Sequence, residues 1–168
     1  MRRLLVLLAI LSTCLSTQGR ANPQDSRKCL GWLIVALEPE DERDTVPATF
    51  LVLDREGRRT GKTSEQARQV EEIPRSQYSE GGLVDQKTGA RGTDRKIVKM
   101  ENPGTGYEVR VTGSQDGKYT LDVGGFGCDK KPFGRSVANV PIARGETHSY
   151  TVIYEKEVGE KVTLKRNP

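Results

Sequence analysis

The chain contains few of the residues on which most metal sites and acid–base catalysts depend. Among its 168 residues there are one histidine and three cysteines, whereas a zinc site needs several such ligands in close spacing. His148 lies between Thr147 and Ser149 in an alternating segment, and no neighbouring motif supplies the positioned partner that a general base requires. A Gly-x-Ser-x-Gly nucleophile elbow is also missing. The sequence therefore assigns no catalytic residue, no cofactor-binding residue and no cofactor.

The chain also lacks a large excess of positive or negative charge. The full chain has a formal net charge of +4. The first 21 residues hold three of the bases and no acid, so the remainder has a net charge of +1. No run of lysine and arginine stands clear of acidic residues, which argues against nucleic acid or an anionic membrane as a partner. The apolar run at residues 4–11 is far shorter than the roughly 20 residues that span a bilayer, so no transmembrane segment is predicted.

Residues 1–21 instead predict a signal peptide. Arg2 and Arg3 give this segment a positive start, and residues 4–11 form its apolar core. The small residues Gly19 and Ala21 suit signal-peptidase cleavage after Ala21. The mature protein is then expected to be secreted or periplasmic, in a compartment that permits disulfides.

The cysteines allow two further predictions. Cys29 and Cys128 are an even pair in an oxidising compartment, so we expect a disulfide between them, the alternative being two buried free thiols. Cys14 lies inside the leader, and residues 11–14 permit the alternative of a lipoprotein anchored at Cys14. Thr13 is bulkier than the residue usual before a lipidated cysteine, so release by signal peptidase is preferred.

Short apolar or alternating segments between glycine- and proline-containing turns predict an all-β fold. The predicted strands are residues 30–37, 48–53, 96–100, 107–111, 119–123, 136–141, 148–155 and 161–164. We expect 107–111 and 119–123 to pair as a hairpin, because both alternate in the same sense on either side of a turn. After the leader and a short linker at residues 22–28, the chain predicts one antiparallel β-sandwich domain of about eight strands over residues 29–166.

Residues 54–95 differ in composition from the rest of the chain. Seventeen of these 42 residues are charged and six are glycine. Residues 63–66 could be a capping box that opens a short helix, and Pro74 would end it. We therefore predict a long polar loop region with at most one short helix, and such long loops usually indicate function or mobility.

Several short motifs resemble immunoglobulin-like β-sandwich modules of bacterial secreted and cell-surface proteins, most of which have no assigned activity. The motifs are Asp54-x-x-Gly57-Arg58-Arg59-Thr60-Gly61, Glu72-Ile73-Pro74-x-Ser76-x-Tyr78, Asp85-x-x-Thr88-Gly89, Asn102-Pro103-x-x-Gly106-Tyr107-x-Val109-x-Val111-Thr112-Gly113 and Gly117-x-Tyr119-Thr120-Leu121. The similarity covers about residues 48–155. It implies the fold and secretion, and it transfers no catalytic residue.

Loop carboxylates could serve two kinds of chemistry. Asp54, Glu80 and Asp85 supply the oxygen ligands that calcium takes, but their spacing matches no EF-hand, and interleaved basic residues favour solvated loops. Glycoside hydrolysis needs two carboxyl groups on opposite walls of a cleft. The candidate pairs for that reaction are Glu71 with Glu72 and Glu38 with Glu40.

These observations rank three hypotheses of function. The first is a secreted, non-enzymatic binding or accessory module that engages an extracellular protein or polysaccharide through loops 54–95, since loops on a rigid scaffold carry most binding surfaces. The second is a small extracellular hydrolase that uses loop carboxylates. The third is an envelope lipoprotein with a structural role.

Overall fold

The computed structural model describes residues 31–41, 45–82, 94–127, 131–155 and 161–168. These ranges contain eleven β-strands and no helix, and therefore no helix able to cross a membrane. The strands are β1 Trp32–Pro39, β2 Ala48–Asp54, β3 Arg59–Gly61, β4 Val70–Glu71, β5 Ser76–Gly81, β6 Arg95–Glu101, β7 Gly106–Gly113, β8 Gly117–Phe126, β9 Pro132–Ile142, β10 Thr147–Glu155 and β11 Lys161–Arg166. The all-β class expected from the sequence is confirmed.

The strands form two antiparallel sheets. Sheet A has the order β5-β6-β1-β8-β9, and sheet B has the order β11-β10-β7-β2-β3-β4. All neighbouring strands within each sheet are antiparallel. The described ranges thus hold eleven strands where the sequence predicted about eight, because three further strands lie in the segment expected to be loops.

Both sheets turn one face towards a common hydrophobic core. In β1 the side chains of Leu33 and Val35 are buried, whereas Trp32 on the other face is only half-buried. The run at residues 30–37 is therefore not buried on both faces, although it is continuously apolar. Phe50 of sheet B packs edge-on against Tyr78 of sheet A, with ring centroids 6.0 Å apart. This contact joins the two sheets in a sandwich-like arrangement.

The predicted hairpin of residues 107–111 and 119–123 is wrong. β7 pairs with β2 and β10 in sheet B, whereas β8 pairs with β1 and β9 in sheet A. An alternating pattern is the same for strands that pair side by side and for strands that face each other across a core, so it could not separate these cases. A β-carbon at Gly113 would lie 2.2 Å from the Ala143 carbonyl oxygen, so glycine is required where the chain changes sheets.

The polar segment 54–95 is not only loop. Its described part contributes β3 and the edge strand β4 to sheet B and the edge strand β5 to sheet A. Residues 62–69 form bends and turns, and the short helix that residues 63–66 could have opened does not occur. An edge strand faces solvent on one side and along its open edge, so it needs few buried apolar residues. In β5 only Tyr78 is buried, and the sequence of this strand therefore shows no alternating apolar pattern.

The predicted signal peptide, the predicted linker and all three cysteines (Cys14, Cys29 and Cys128) lie outside the described residues. β1 begins beside the end of β8, with Trp32 paired to Phe126. These paired residues lie close in sequence to Cys29 and Cys128.

Candidate functional site

Several connections between strands meet at one end of the two sheets, which we call the loop end. They are residues 45–47 before β2, residues 62–69 between β3 and β4, residues 114–116 between β7 and β8, and residues 143–146 between β9 and β10. The adjacent ends of β5 and β6 lie there as well. Residues from these connections line the same cavities, so the topology collects them into one surface.

The loop end carries adjoining cavities, three of which we name by their lining residues. The central cavity of about 410 Å³ is lined by Glu65, Glu80, Asp94, Arg95 and Lys96 among others. The proline cavity of about 510 Å³ is lined by residues that include Pro39, Pro47, Lys118 and Pro141. The threonine cavity of about 290 Å³ is lined by residues that include Thr49, Thr63, Thr112 and Arg144. Ser114 and Glu65 line both the central and threonine cavities, so these two are continuous parts of one surface.

Lys96 holds the loop end together. Its side chain points from β6 towards the core side, and the residue is only 8% exposed. Its Nζ donates a hydrogen bond to the Ala48 carbonyl oxygen at 2.8 Å and forms an ion pair with Glu65. A buried charge must be paired or hydrogen-bonded, and Lys96 finds its partners in sheet B and in the 62–69 loop. It therefore joins sheet A, sheet B and this loop at one point.

Glu80 is the second charged anchor of the central cavity. Its carboxylate accepts hydrogen bonds from the hydroxyl of Tyr78 and, at 3.1 Å, from Nζ of Lys62. Partial burial acts to raise the pKa of Glu80, but these hydrogen bonds outweigh it and lower that pKa overall. Burial and the neighbouring Glu80 carboxylate raise the pKa of Tyr78. The pair therefore consists of an ionised carboxylate and a neutral phenol at ordinary pH.

The structure does not bring the predicted calcium candidates together. Glu80 lies opposite Lys96, and hence near Ala48 at the start of β2. Asp54 ends β2, and its carboxylate accepts hydrogen bonds from the Glu56 and Arg58 backbone N–H groups and from Arg58 Nε. Asp85 lies outside the described residues. Within the described ranges, no group of three or more His, Cys, Asp or Glu side chains could hold a metal ion.

The carboxylates considered for hydrolysis connect neighbouring strands or loops. Glu72 accepts two hydrogen bonds from the guanidinium of Arg59, at 2.8 and 3.1 Å, and this contact lowers the pKa of Glu72. Glu71 accepts a hydrogen bond from the Tyr78 backbone N–H at 2.8 Å. The other two form ion pairs, Glu38 with Arg95 and Glu40 with Lys118, each at 3.0 Å. All four thus have partners that stabilise the fold.

A buried hydrogen-bond network around His148 was missed by the sequence reasoning. Nδ1 of His148 lies 2.7 Å from the Tyr119 hydroxyl, which lies 2.6 Å from the Tyr150 hydroxyl. On the other side of the ring, Nε2 lies 2.7 Å from Oε1 of Glu146. The sequence did contain a signal, because Glu146, His148 and Tyr150 alternate along one strand face. Tyr119 and Tyr150 are fully buried, so the network reaches solvent at Glu146 and positions side chains within the core.

Thr49 and Arg144 were also missed. Thr49 lies on the floor of the threonine cavity, and its buried hydroxyl has no hydrogen-bond partner among the described residues. Arg144 lies in the turn between β9 and β10, at the rim of the same cavity. Neither residue belongs to a sequence motif, because β2 and the 143–146 turn become neighbours only through the sheet topology.

Comparisons with known proteins give no match to this chain. No family model matches it, and neither the curated proteins nor the solved structures contain a match.

Proposed function

We propose that this chain is a secreted, non-enzymatic binding or accessory module that engages an extracellular protein or polysaccharide through the loops of residues 54–95. The observation that carries the proposal is the set of adjoining cavities at the loop end. Residues 63–66 of the polar segment line the threonine cavity, and Glu65 also lines the central cavity. Loops that a rigid sheet scaffold positions in this way are the usual location of binding surfaces.

The composition of the central cavity supports a polar ligand. Three carboxylates, from Glu65, Glu80 and Asp94, lie beside the cations Arg95 and Lys96. A surface of mixed donors and acceptors suits hydroxyl and amide groups, which can donate and accept hydrogen bonds. Sugars and polar segments of proteins both carry such groups.

We further propose that the two sheets form an immunoglobulin-like sandwich, that the chain is exported and cleaved after Ala21, and that Cys29 and Cys128 form a disulfide. The motif resemblance supports the first of these, and the composition of residues 1–21 supports the second. The pairing of Trp32 with Phe126 supports the third, since it brings together two strand ends close in sequence to the cysteines.

A binding assay on the mature chain, residues 22–168, tests the proposed function. The protein is titrated with a panel of purified extracellular polysaccharides and extracellular proteins. The test variant combines Thr63→Ala, Ser64→Ala and Gln66→Ala, three exposed residues at the threonine cavity. The control variant combines Gln77→Ala and Ser79→Ala, which are exposed on β5.

We expect saturable binding to at least one panel member. The triple variant should weaken it at least tenfold, while the control should bind as the unmodified chain does. Equal binding by all three proteins would place the binding surface elsewhere and contradict the proposal. Release of shorter oligosaccharides during the assay would contradict its non-enzymatic part.

A further inference from the structure

We propose that the threonine cavity binds a carboxylated sugar residue, and hence that the ligand of the loop end is an acidic polysaccharide. This inference rests on the proposed binding function and narrows its ligand to a chain that contains uronate residues.

The floor contains Thr49 and Thr112. They belong to a row of three threonines on the outer face of sheet B, of which the third, Thr147, does not line the cavity. Thr49 in β2 pairs with Thr112 in β7, which pairs with Thr147 in β10. Residues directly opposite each other in neighbouring strands share a face. The hydroxyls of Thr112 and Thr147 lie 3.2 Å apart and satisfy each other, but the Thr49 hydroxyl has no partner among the described residues.

The unpartnered hydroxyl of Thr49 points to a ligand. Thr49 is 1% exposed, and native proteins leave few buried polar side chains unsatisfied because the loss of water is then uncompensated. Thr60, another buried threonine on a strand of the same sheet, has its hydroxyl 2.6 Å from that of Ser76. Because this hydroxyl is almost fully covered, a ligand oxygen reaches it only by displacing side chains around the cavity, among which Thr63, Ser64 and Gln66 are exposed. A hydroxyl or carboxylate oxygen in that position would supply the partner that Thr49 lacks.

The roof is the loop that follows β3. Thr63, Ser64 and Gln66 line the cavity from above and are exposed, so they offer hydroxyl and amide groups to a ligand. Glu65 of the same loop is already paired with Lys96. The carboxylate of the roof is therefore neutralised within the protein and does not repel an anion.

Arg144 supplies the charge of the site. Its backbone N–H donates a hydrogen bond to Oδ1 of Asp116 at 2.8 Å, which positions the turn. Its guanidinium forms no ion pair with another described residue. A guanidinium binds a carboxylate through two parallel hydrogen bonds, so the cavity combines one carboxylate-binding group with several hydroxyls.

This combination favours a uronate over phosphate or a peptide. A phosphate site commonly uses free backbone N–H groups. Here the N–H of Gly113 already donates a hydrogen bond to the Glu146 carbonyl oxygen, and the N–H of Gly145 donates one to the Gly113 carbonyl oxygen. An extended peptide would require an open strand edge, whereas the floor lies between the paired strands β2, β7 and β10. The volume of about 290 Å³ lies just below the roughly 300–1,000 Å³ typical of ligand pockets, which suits one sugar ring.

The test titrates the mature chain with oligosaccharides of galacturonate, glucuronate and mannuronate, each beside its uncharged methyl ester. The variants are Arg144→Gln and Thr49→Val, the second of which replaces the hydroxyl by a methyl group of similar shape. The control is Arg135→Gln, which removes an exposed cation of β9 that lines none of the named cavities. Urea unfolding of each variant is measured in parallel.

We expect at least one uronate to bind at least tenfold more tightly than its methyl ester. Arg144→Gln should remove that preference, Thr49→Val should weaken binding about fivefold to tenfold, and Arg135→Gln should change it less than twofold. Thr49→Val should also raise the urea midpoint of the free protein. Weaker binding by a more stable variant cannot come from damage to the fold.

Two outcomes would overturn the inference, and they bear differently on the proposed function. If the chain binds polysaccharides but treats acid and ester alike, or if Arg144→Gln and Thr49→Val bind as the unmodified chain does, the threonine cavity is not the uronate site and the binding function stands. If the chain binds no member of either panel, the proposed function fails together with this inference.

Discussion

Tyr119 is the central residue of the buried network, because its hydroxyl contacts both the His148 ring and the Tyr150 hydroxyl. It lies in sheet A, whereas His148 and Tyr150 lie in sheet B, so this one phenol joins the two sheets by hydrogen bonds. Burial and the hydrogen bond with Tyr150 raise the pKa of Tyr119. The phenol therefore stays neutral and retains the proton that the network needs.

We predict that Tyr119→Phe costs more stability than Tyr150→Phe. The first change leaves both His148 Nδ1 and the Tyr150 hydroxyl without this partner, and each unsatisfied buried group costs about 1–3 kcal/mol. The second leaves the contact between Tyr119 and His148 intact, so we expect a loss of about 1 kcal/mol against about 2–3 kcal/mol for the first. Urea unfolding measures both free energies. Equal losses would show that the network does not run through Tyr119.

Glu80 links the stability of the loop end to pH. The pKa of Glu80 is lowered in the folded chain, so its ionised carboxylate is more stable in the folded chain than in the unfolded one. This contribution is fully present above the ordinary glutamate value of 4.5 and is lost as pH falls through the lower folded pKa.

We predict that Glu80→Gln lowers the free energy of unfolding at pH 7 by no more than about 1 kcal/mol, as is usual for partly exposed ion pairs. The difference from the unmodified chain should vanish once pH falls below the folded pKa of Glu80, because both side chains are then neutral. Urea unfolding between pH 7 and pH 2 measures the difference, with Glu155→Gln at the exposed end of β10 as the control. A difference that does not change with pH would mean that Glu80 stabilises by packing alone.

At the scale of elements, the sequence predicted strands wherever apolar residues face the core. β1, β2, β6, β7, β8, β9, β10 and β11 all overlap predicted strands, since most of their inward positions carry apolar residues such as valine, leucine or tyrosine. β3, β4 and β5 were missed because they are short or polar, and only Thr60, Gly61 and Tyr78 in them are buried. Strand partners were not predictable either, because alternation marks the face of a strand and not its neighbour.

The candidate site was predictable only in outline. The sequence predicted that binding lies in the 54–95 segment, which stays a prediction; residues 63–66 of that segment line cavities of the loop end. Thr49, Arg144 and Lys96 come from other parts of the chain and meet through strand pairing. A single sequence carries no periodic signal for such long-range neighbours.

We predict that the 54–95 segment divides into two parts in hydrogen exchange. Amides of β5 that face β6 should be protected, because Ser76–Gly81 pairs with β6 along its length. Amides of residues 63–69 should exchange faster, since within that stretch the only backbone hydrogen bond joining described residues runs from Ala67 to Ser64. Exchange followed by mass spectrometry of short peptides resolves the two parts. Equally fast exchange in β5 and in the 63–69 loop would show that β5 is not held in sheet A.

At the scale of the whole molecule, the two sheets share one core and are joined by polar contacts at the loop end. Lys96 reaches from sheet A to the Ala48 carbonyl oxygen of sheet B at 2.8 Å. The opposite end has an aromatic contact instead, since Phe133 of sheet A stacks on Tyr154 of sheet B with centroids 5.4 Å apart. The cavities thus lie at the end that is joined by charged and hydrogen-bonding groups, where polar ligands can compete for the same atoms.

The last prediction concerns the link between the chain's first and eighth strands. Trp32 and Phe126 are paired residues at adjacent strand ends, and Cys29 and Cys128 lie only three and two residues beyond them in sequence. We predict one disulfide between these cysteines, visible as a single linked peptide pair in non-reducing mass mapping of the exported protein.

A disulfide that closes a loop of this length stabilises by restricting the unfolded chain, by up to about 4.7 kcal/mol and usually less in practice. Reduction, or the double change Cys29→Ala and Cys128→Ala, should therefore lower the urea midpoint while β1 and β8 remain paired. The double variant should also be insensitive to reductant, which separates loss of the bridge from other effects of reduction. Two thiols that react with iodoacetamide in the native exported protein would contradict the bridge, and the junction of β1 and β8 would then depend on strand pairing and core packing alone.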